Sequence, residues 1–363
     1  MFIDIIAGAR PNFVKIAPII EAIRIKQFQG ENINFRLIHT GQHYDKNMSE
    51  DFFLQLGIPD PDFCLNAGRG THAEQTAKIM IEYEKILIKK KAFLCIVVGD
   101  VTSTMACAIT AKKMNILVAH VEGGIRSGDM NMAEEINRIV TDSISDYFFT
   151  TSSKANLNLI KTGVLQERIF FVGNTMIDTL MKQRPNFIKP KIWEKYSLKS
   201  NQFIVLTLHR PSNVDNSDNL KNILNEIIFH SVIDKIVFPI HPRTRIIFEK
   251  LNIKSDKLIV IEPLPYLEFN YLVERSKAVI TDSGGITEET TVFGVPCLTL
   301  RDSTERPETV EMGTNELIGS DYRSIKSSFD KLNSGKWKTG IIPPLWDGFS
   351  AVRIIDCILK FNK

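Results

Sequence analysis

The chain is expected to be α/β, with two Rossmann-like doubly wound domains. Three observations lead there. Short Val/Ile/Leu/Phe-rich runs alternate with longer segments of helical spacing. The runs are apolar at consecutive positions, the pattern of parallel strands covered on both faces by crossover helices. The alternation stops at a polar stretch containing Pro185 and Pro190 and then starts again, and 363 residues suffice for two cores.

In the first half the strand-like runs are Phe2–Ala7, Phe35–Thr40, Leu94–Gly99, Ile116–Val121, Tyr147–Thr151 and Ile169–Val172. In the second half they are Phe203–Leu208, Lys235–Ile240, Leu258–Ile261, Ala278–Ile280 and Cys297–Leu300. The break is placed near Gly173-Asn174. The first domain then covers 1–172 and the second, the nucleotide-binding half, 173–347. Val352, Ile355, Cys357 and Ile358 follow a helical spacing, so a last helix is expected over about 348–363.

Composition excludes several function classes. The net charge of +3 is too small for a nucleic-acid or anionic-membrane binder. No apolar stretch reaches the ~18 residues of a membrane span. The opening Met1–Ile6 lacks the basic residues and length of a signal sequence. Five cysteines without a Cys-x-x-Cys pair suggest a reduced, cytoplasmic protein with buried thiols. Lys89-Lys90-Lys91 reads as a solvated helix end. Gly68-Arg69-Gly70-Thr71-His72-Ala73 fits a loose dinucleotide-binding string, but it lies beyond the second strand and runs into a long helix. No Walker-type string exists. Neither NAD nor ATP is indicated, no metal-ligand spacing occurs, and no cofactor is expected.

Ligands in open α/β sheets sit beyond the carboxyl ends of the strands, and polar groups gather there. The runs are followed by Gly8-Ala9-Arg10-Pro11, Gly41-Gln42-His43, Gly99-Asp100, Glu122-Gly123-Gly124, His209-Arg210-Pro211, His241-Pro242-Arg243, Asp282-Ser283-Gly284-Gly285 and Arg301-Asp302. Ser283-Gly284-Gly285 leads into a helix whose amides and dipole suit a phosphate or diphosphate. Glu289, one turn in, suits sugar hydroxyls. Arg10 would face the anion drawn to its own helix start, and Lys15 shares that helix. Asp100 could be a helix cap. Glu134 and Glu135 open a helix, where acids are favoured by the dipole alone. His209 ends a strand where it could donate to a phosphate or a leaving oxygen. Taken together, these groups suggest a nucleotide-sugar site.

These motifs occur in one order over roughly residues 1–320, together with Ile125-Arg126-Ser127-Gly128-Asp129, Ile136-Asn137-Arg138, Gly173-Asn174-Thr175 and Ser303-Thr304-Glu305-Arg306-Pro307-Glu308. The set resembles the non-hydrolysing UDP-N-acetylglucosamine 2-epimerases. The resemblance implies a fold like the GT-B glycosyltransferases, with two domains facing a cleft and the last helix crossing back to the first domain, and a homodimer acting on a UDP-sugar with no nucleic-acid or membrane partner. It implies Asp100, Glu122, Glu134 and His209 as catalytic residues. It implies Arg10, Lys15, Phe269, Ser283, Gly284, Gly285, Glu289 and Arg306 as UDP-sugar contacts. Ala9, Asn12 and Ala133 depart from the family's usual Thr, Glu and Pro, and the loop from Asp129 to Glu134 is shorter than in well-known members.

The implied reaction interconverts UDP-N-acetylglucosamine and UDP-N-acetylmannosamine. The C2 hydrogen is not next to a carbonyl, so UDP must leave C1 first, or nearly so. Loss of the C2 proton then gives a 2-acetamidoglucal, to which UDP re-adds. Related enzymes use UDP-2,3-diacetamido-glucuronic acid. A hydrolysing epimerase that releases UDP, a glycosyltransferase and a UDP-sugar-binding regulator are the other readings.

Overall fold

The computed structural model describes residues 1–41 and 53–361, apart from the Arg10 side chain; Gln42 and His43 lie outside the described residues. The chain divides into two compact units, Met1–Lys182 with Pro344–Lys363, and Gln183–Pro343.

The first unit runs β1 (Phe2–Ala7), α1 (Arg10–Phe28), β2 (Asn34–His39), β3 (Phe63–Cys64), α2 (His72–Lys89), β4 (Leu94–Val98), α3 (Thr102–Lys113), β5 (Leu117–Val121), α4 (Ala133–Ile144), β6 (Tyr147–Thr150), α5 (Ser153–Lys161), β7 (Ile169–Phe171) and α6 (Thr175–Gln183). The strands form one parallel sheet in the order β3-β2-β1-β4-β5-β6-β7. Asp4 interrupts the apolar run of β1, yet it is buried. Arg36 on the neighbouring strand donates to it twice, at 2.8 and 2.7 Å, and the Tyr83 hydroxyl donates at 2.9 Å. Such pairing is what makes a buried carboxylate tolerable. The long helix expected behind the glycine string is α2; Thr71 and Glu74 close a reciprocal cap at its start.

The second unit runs β8 (Ile204–Thr207), α7 (Ser217–His230), β9 (Ile236–Pro239), α8 (Pro242–Phe248), β10 (Leu258–Ile261), α9 (Tyr266–Arg275), β11 (Ala278–Thr281), α10 (Gly284–Phe293), β12 (Cys297–Thr299), α11 (Pro307–Glu311), β13 (Asn315–Leu317) and α12 (Ile325–Asn333). Its parallel sheet has the order β10-β9-β8-β11-β12-β13. Ile204, Leu206 and Leu208 pack on one face with Ile223, Ile227 and Phe329. Phe203 and Val205 pack on the other with Leu272, Val273 and Val295. Side chains alternate between two apolar cores, so the consecutive positions Phe203 to Leu206 are apolar.

All the long strand-like runs are strands. Two were not foreseen: β3 and β13 are edge strands of two and three residues, too short and too polar to show as apolar runs. Cys95, Cys107 and Cys297 are buried, and Cys357 is half-buried, but Cys64 is exposed because β3 lies at the sheet's edge. The two units part between Lys182 and Gln183, at the end of α6. The Thr179 hydroxyl donates to the Val14 carbonyl at 2.6 Å, which fastens α6 to α1. Asp178 accepts the amides of Ser350 and Ala351 at 3.1 and 2.7 Å, at the start of the last helix α13 (Ser350–Ile358).

Trp346 anchors this return. It is buried, and its indole N–H donates to the Thr151 carbonyl at 3.2 Å. Trp346→Ala is expected to destabilise the first unit by about 3–5 kcal/mol. The check is the urea midpoint of the transition that unfolds that unit.

Candidate active site

In each sheet the strand order reverses once, between β1 and β4 in the first and between β8 and β11 in the second. Loops leaving such a pair diverge, and the crevice beyond the strand ends is where this architecture receives ligands.

Beyond β1 and β4, Asn12 holds both loops. Its carbonyl accepts the amides of Gly8 and Ala9 at 3.2 and 3.1 Å, and its amide donates to the Val98 carbonyl at 3.0 Å. Asn12 thus reaches back to the helix-entry backbone as a Glu at that position would. Gly8 has no room for a side chain: a Cβ would lie 2.0 Å from the Ser103 hydroxyl. Lys15 and Glu122, both buried, form an ion pair of 2.7 Å. Gly99 adopts φ +71°, and a Cβ there would meet Lys15 Nζ at 3.3 Å and Glu122 Oε2 at 3.7 Å. Glu122 is itself left-handed, with φ 71°. That conformation costs a non-glycine residue roughly 1–3 kcal/mol and occurs mainly where surroundings impose it.

Asp100 does not cap the following helix, whose cap position is Val101. Its carboxylate instead accepts from Arg138, and its carbonyl accepts from Asn137 at 2.8 Å. Both partners lie on α4. Glu135, on the same face, accepts Arg138 at 2.7 Å and the Ser127 and Gly128 amides at 2.9 and 3.1 Å. Burial pushes the Glu135 carboxyl up, but these donors outweigh it and leave it below its ordinary value. Glu134, its neighbour, is exposed. The two acids of the first turn therefore differ in setting: Glu135 is tied to the scaffold and Glu134 faces solvent.

Beyond β8 and β11, the buried Asp282 carboxylate accepts the amides of His209 and Arg210 at 3.0 and 2.9 Å and the Asn213 side chain at 3.1 Å. Asn213 also donates to the Leu300 carbonyl at the end of β12, at 3.1 Å. His209 Nδ1 lies 2.8 Å from Asp282, which orients an otherwise half-exposed ring. Burial raises the Asp282 carboxyl, and its donors, led by His209, more than offset this. His209, Ser283, His241 and Ile286 line a pocket of about 160 Å³. Gly284 and Gly285 form the first turn of α10, directly behind it.

Deeper in the unit, Glu288 is paired with Arg306 at 2.7 Å, both buried. Arg301 pairs with Glu305 at 2.7 Å. Glu289 is buried with Asn270 at 3.3 Å. Burial raises its carboxyl to about 7, against hydrogen bonds from Asn270 and Tyr266. Phe269, on α9, is half-buried against the lower core.

Of the residues singled out in the sequence, the first unit thus brings together Lys15, Glu122 and Asp100 around Gly99. The second brings together His209, Ser283, Gly284 and Gly285, with Glu289 and Arg306 behind. Lys15 and Arg306 are each committed to a buried carboxylate, a pairing that spacing could not reveal. Asn213, Glu288 and Asp142 were missed as site-building groups, and Asp282 was placed at its strand end without its role as the partner of His209. For Asp142 a signal existed: Glu135, Arg138 and Asp142 are three and four residues apart, one face of α4.

Glu289 gives a pH test. Its folded value lies above its unfolded one, so folding favours the protonated form. The stability it contributes is present below pH 4.5 and is lost as pH rises to about 7. The loss is about 3 kcal/mol for a shift of this size. Glu289→Gln is expected to abolish that fall, so its advantage over the parent grows from pH 4.5 to pH 7 and is constant above. Urea unfolding of the second unit across this range measures it.

Comparison with known proteins places this architecture. The family described as UDP-N-acetylglucosamine 2-epimerase matches residues 26–359. A UDP-N-acetylglucosamine 2-epimerase of Methanocaldococcus jannaschii is 42% identical over 381 residues, covering 100% of both chains. A UDP-2,3-diacetamido-2,3-dideoxy-D-glucuronate 2-epimerase of Pseudomonas aeruginosa is also 42% identical, over 321 residues and 87% of each. The crystal structure of M. jannaschii UDP-GlcNAc 2-epimerase in complex with UDP-GlcNAc and UDP superposes with a TM-score of 0.87 at 40% identity, covering 99% of this chain and 100% of that one. The chain belongs to the UDP-N-acetylglucosamine 2-epimerase family.

Proposed function

We propose that the protein inverts C2 of a UDP-N-acetylhexosamine, converting UDP-N-acetylglucosamine to UDP-N-acetylmannosamine and back. The observation that carries this reading is the gathering of Lys15, Glu122, Asp100 and Arg138 at the first sheet's reversal point. An anion-suited helix start stands at the second sheet's reversal point. Family membership supplies the substrate class.

The chemistry divides between the two sets. Breaking the C1–O bond puts an electron pair on the diphosphate. The first-turn amides of α10, with His209, Arg10 and Arg306, supply donors for it. The oxocarbenium-like sugar then loses its C2 proton to a carboxylate, forming the C1–C2 double bond of the 2-acetamidoglucal. Re-addition reverses these steps, with a proton delivered to the opposite face of C2. Asp100, Glu122 and Glu134 are the acid and base candidates, since one group must accept the proton and another donate it. His209, oriented by Asp282, suits the leaving oxygen. Phe269, Lys15 and Glu289 complete the UDP-sugar contacts. The elimination requires both sets on one substrate molecule.

The second reading keeps the reaction and changes the sugar to UDP-2,3-diacetamido-glucuronic acid; the equal identity to the P. aeruginosa relative favours keeping it. Both readings place the enzyme in the cytoplasm, in keeping with five free cysteines, and as a homodimer, which sedimentation would test. Among the described residues no helix is long and apolar enough to cross a membrane.

Proton NMR in D₂O with each UDP-sugar in turn tests the proposal. The expected result is the C2 epimer of one of them, deuterium at C2 and no net UDP release. Stoichiometric UDP would point to the hydrolysing reaction, and a need for an acceptor to a transferase. Asp100→Asn and Glu122→Gln are each expected to lower kcat by about 10²–10⁴.

A further inference from the structure

His120 is the fourth residue of β5, and its side chain is fully buried. Both ring nitrogens have partners. Nε2 lies 2.8 Å from the Gly99 carbonyl and Nδ1 2.6 Å from Asp142 Oδ1. A carbonyl only accepts, so Nε2 carries a proton. The other Asp142 oxygen accepts the Gly124 amide at 3.0 Å and Arg126 Nη1 at 2.6 Å. Although burial works to raise it, the Asp142 carboxyl is held below its ordinary value by His120 and Arg126. The second oxygen is thus an acceptor towards the Gly124 amide and Arg126, and Oδ1 faces the ring.

The places this ring reaches are those that carry the chemistry. Gly99, in the left-handed region, immediately precedes Asp100. Gly124, held through Asp142, lies two residues beyond Glu122. The Gly99 amide donates to the Val121 carbonyl at 3.0 Å, so the two loops are already laced together by backbone. Asp142 stands one turn past Arg138, the partner of Asp100. One face of α4 therefore holds Asp100 and the Gly124 amide directly and the Gly99 carbonyl through His120.

We propose that His120, oriented by Asp142, is a positioning residue for the epimerisation: it fixes the Gly99 carbonyl and so holds the backbone bearing Asp100 and Glu122 in register for proton transfer at C2. The inference rests on the reaction assigned above. The competing explanation is that His120 and Asp142 merely complete the core.

The two differ in kinetics. His120→Asn keeps a donor for Asp142 but is too short to reach the Gly99 carbonyl, whereas His120→Gln can extend to that carbonyl. If the tie to Gly99 matters, His120→Asn lowers kcat about 10- to 100-fold with KM within about threefold, and His120→Gln recovers most of the loss. A folded His120→Asn with kcat within about threefold of the parent, or with only KM changed, or equal losses in both variants, overturns the proposal. A measurement on the parent does not depend on the variants folding. With ¹⁵N-labelled histidine, Nε2 of His120 is expected to show a directly bonded proton, and a bare Nε2 overturns the proposal. A parent inactive on both UDP-sugars would sink the epimerase reading itself, while the NMR result would still report on the pairing.

Discussion

Where a parallel sheet reverses its strand order, the ladder of backbone hydrogen bonds ends and two loops leave in opposite directions. Their amides and carbonyls still need partners, because they are buried. In this protein buried side chains supply them. Asn12 spans the ends of β1 and β4, and Asp282 with Asn213 spans β8, β11 and β12. The crevices stay open because these groups satisfy the backbone from beneath, leaving strand ends free to present chemistry above.

The same economy governs charge. An unpaired buried ion costs several kcal/mol, and removing one partner of a buried pair commonly costs about 3–5 kcal/mol. Nearly every buried carboxylate near the two reversal points has a cation or several N–H donors: Glu122 has Lys15, Glu135 has Arg138, Asp142 has His120 and Arg126, and Glu288 has Arg306. Glu289 differs. Its hydrogen-bond partners Asn270 and Tyr266 are neutral, and burial, with the nearby Glu288 carboxylate, drives it towards the protonated form. A group of this kind can bind as a neutral hydrogen-bonding acid or as a carboxylate, depending on pH and on what reaches it.

Helix α4 shows how one element organises a site. Its outward positions are exposed, including Glu134 and Ile136, while Glu135, Arg138 and Asp142 are buried. That face carries charge where a helix packed on a sheet would ordinarily carry aliphatic side chains. Each charge meets a loop: Glu135 the turn at Ser127-Gly128, Arg138 the Asp100 carboxylate, Asp142 the Gly124 amide and His120. A helix is rigid over this length, so the loops inherit one common reference.

The sequence by itself determined the two parallel sheets, because strands buried on both faces are apolar at consecutive positions, as Phe203 to Leu206 are. It also determined which strand ends carry chemistry, since ionisable groups such as Asp100, Glu122, His209 and Asp282 directly follow apolar runs. Only the tertiary structure decided who pairs with whom. Lys15 and Glu122 are 107 residues apart, and His209 and Asp282 are 73; no local period links such positions. It alone separated Glu134 from Glu135, adjacent and chemically alike, by turning one to solvent and the other to Arg138. The edge strands β3 and β13 were likewise decided by pairing with a formed sheet, because segments of two or three residues hold too little apolar surface to declare themselves.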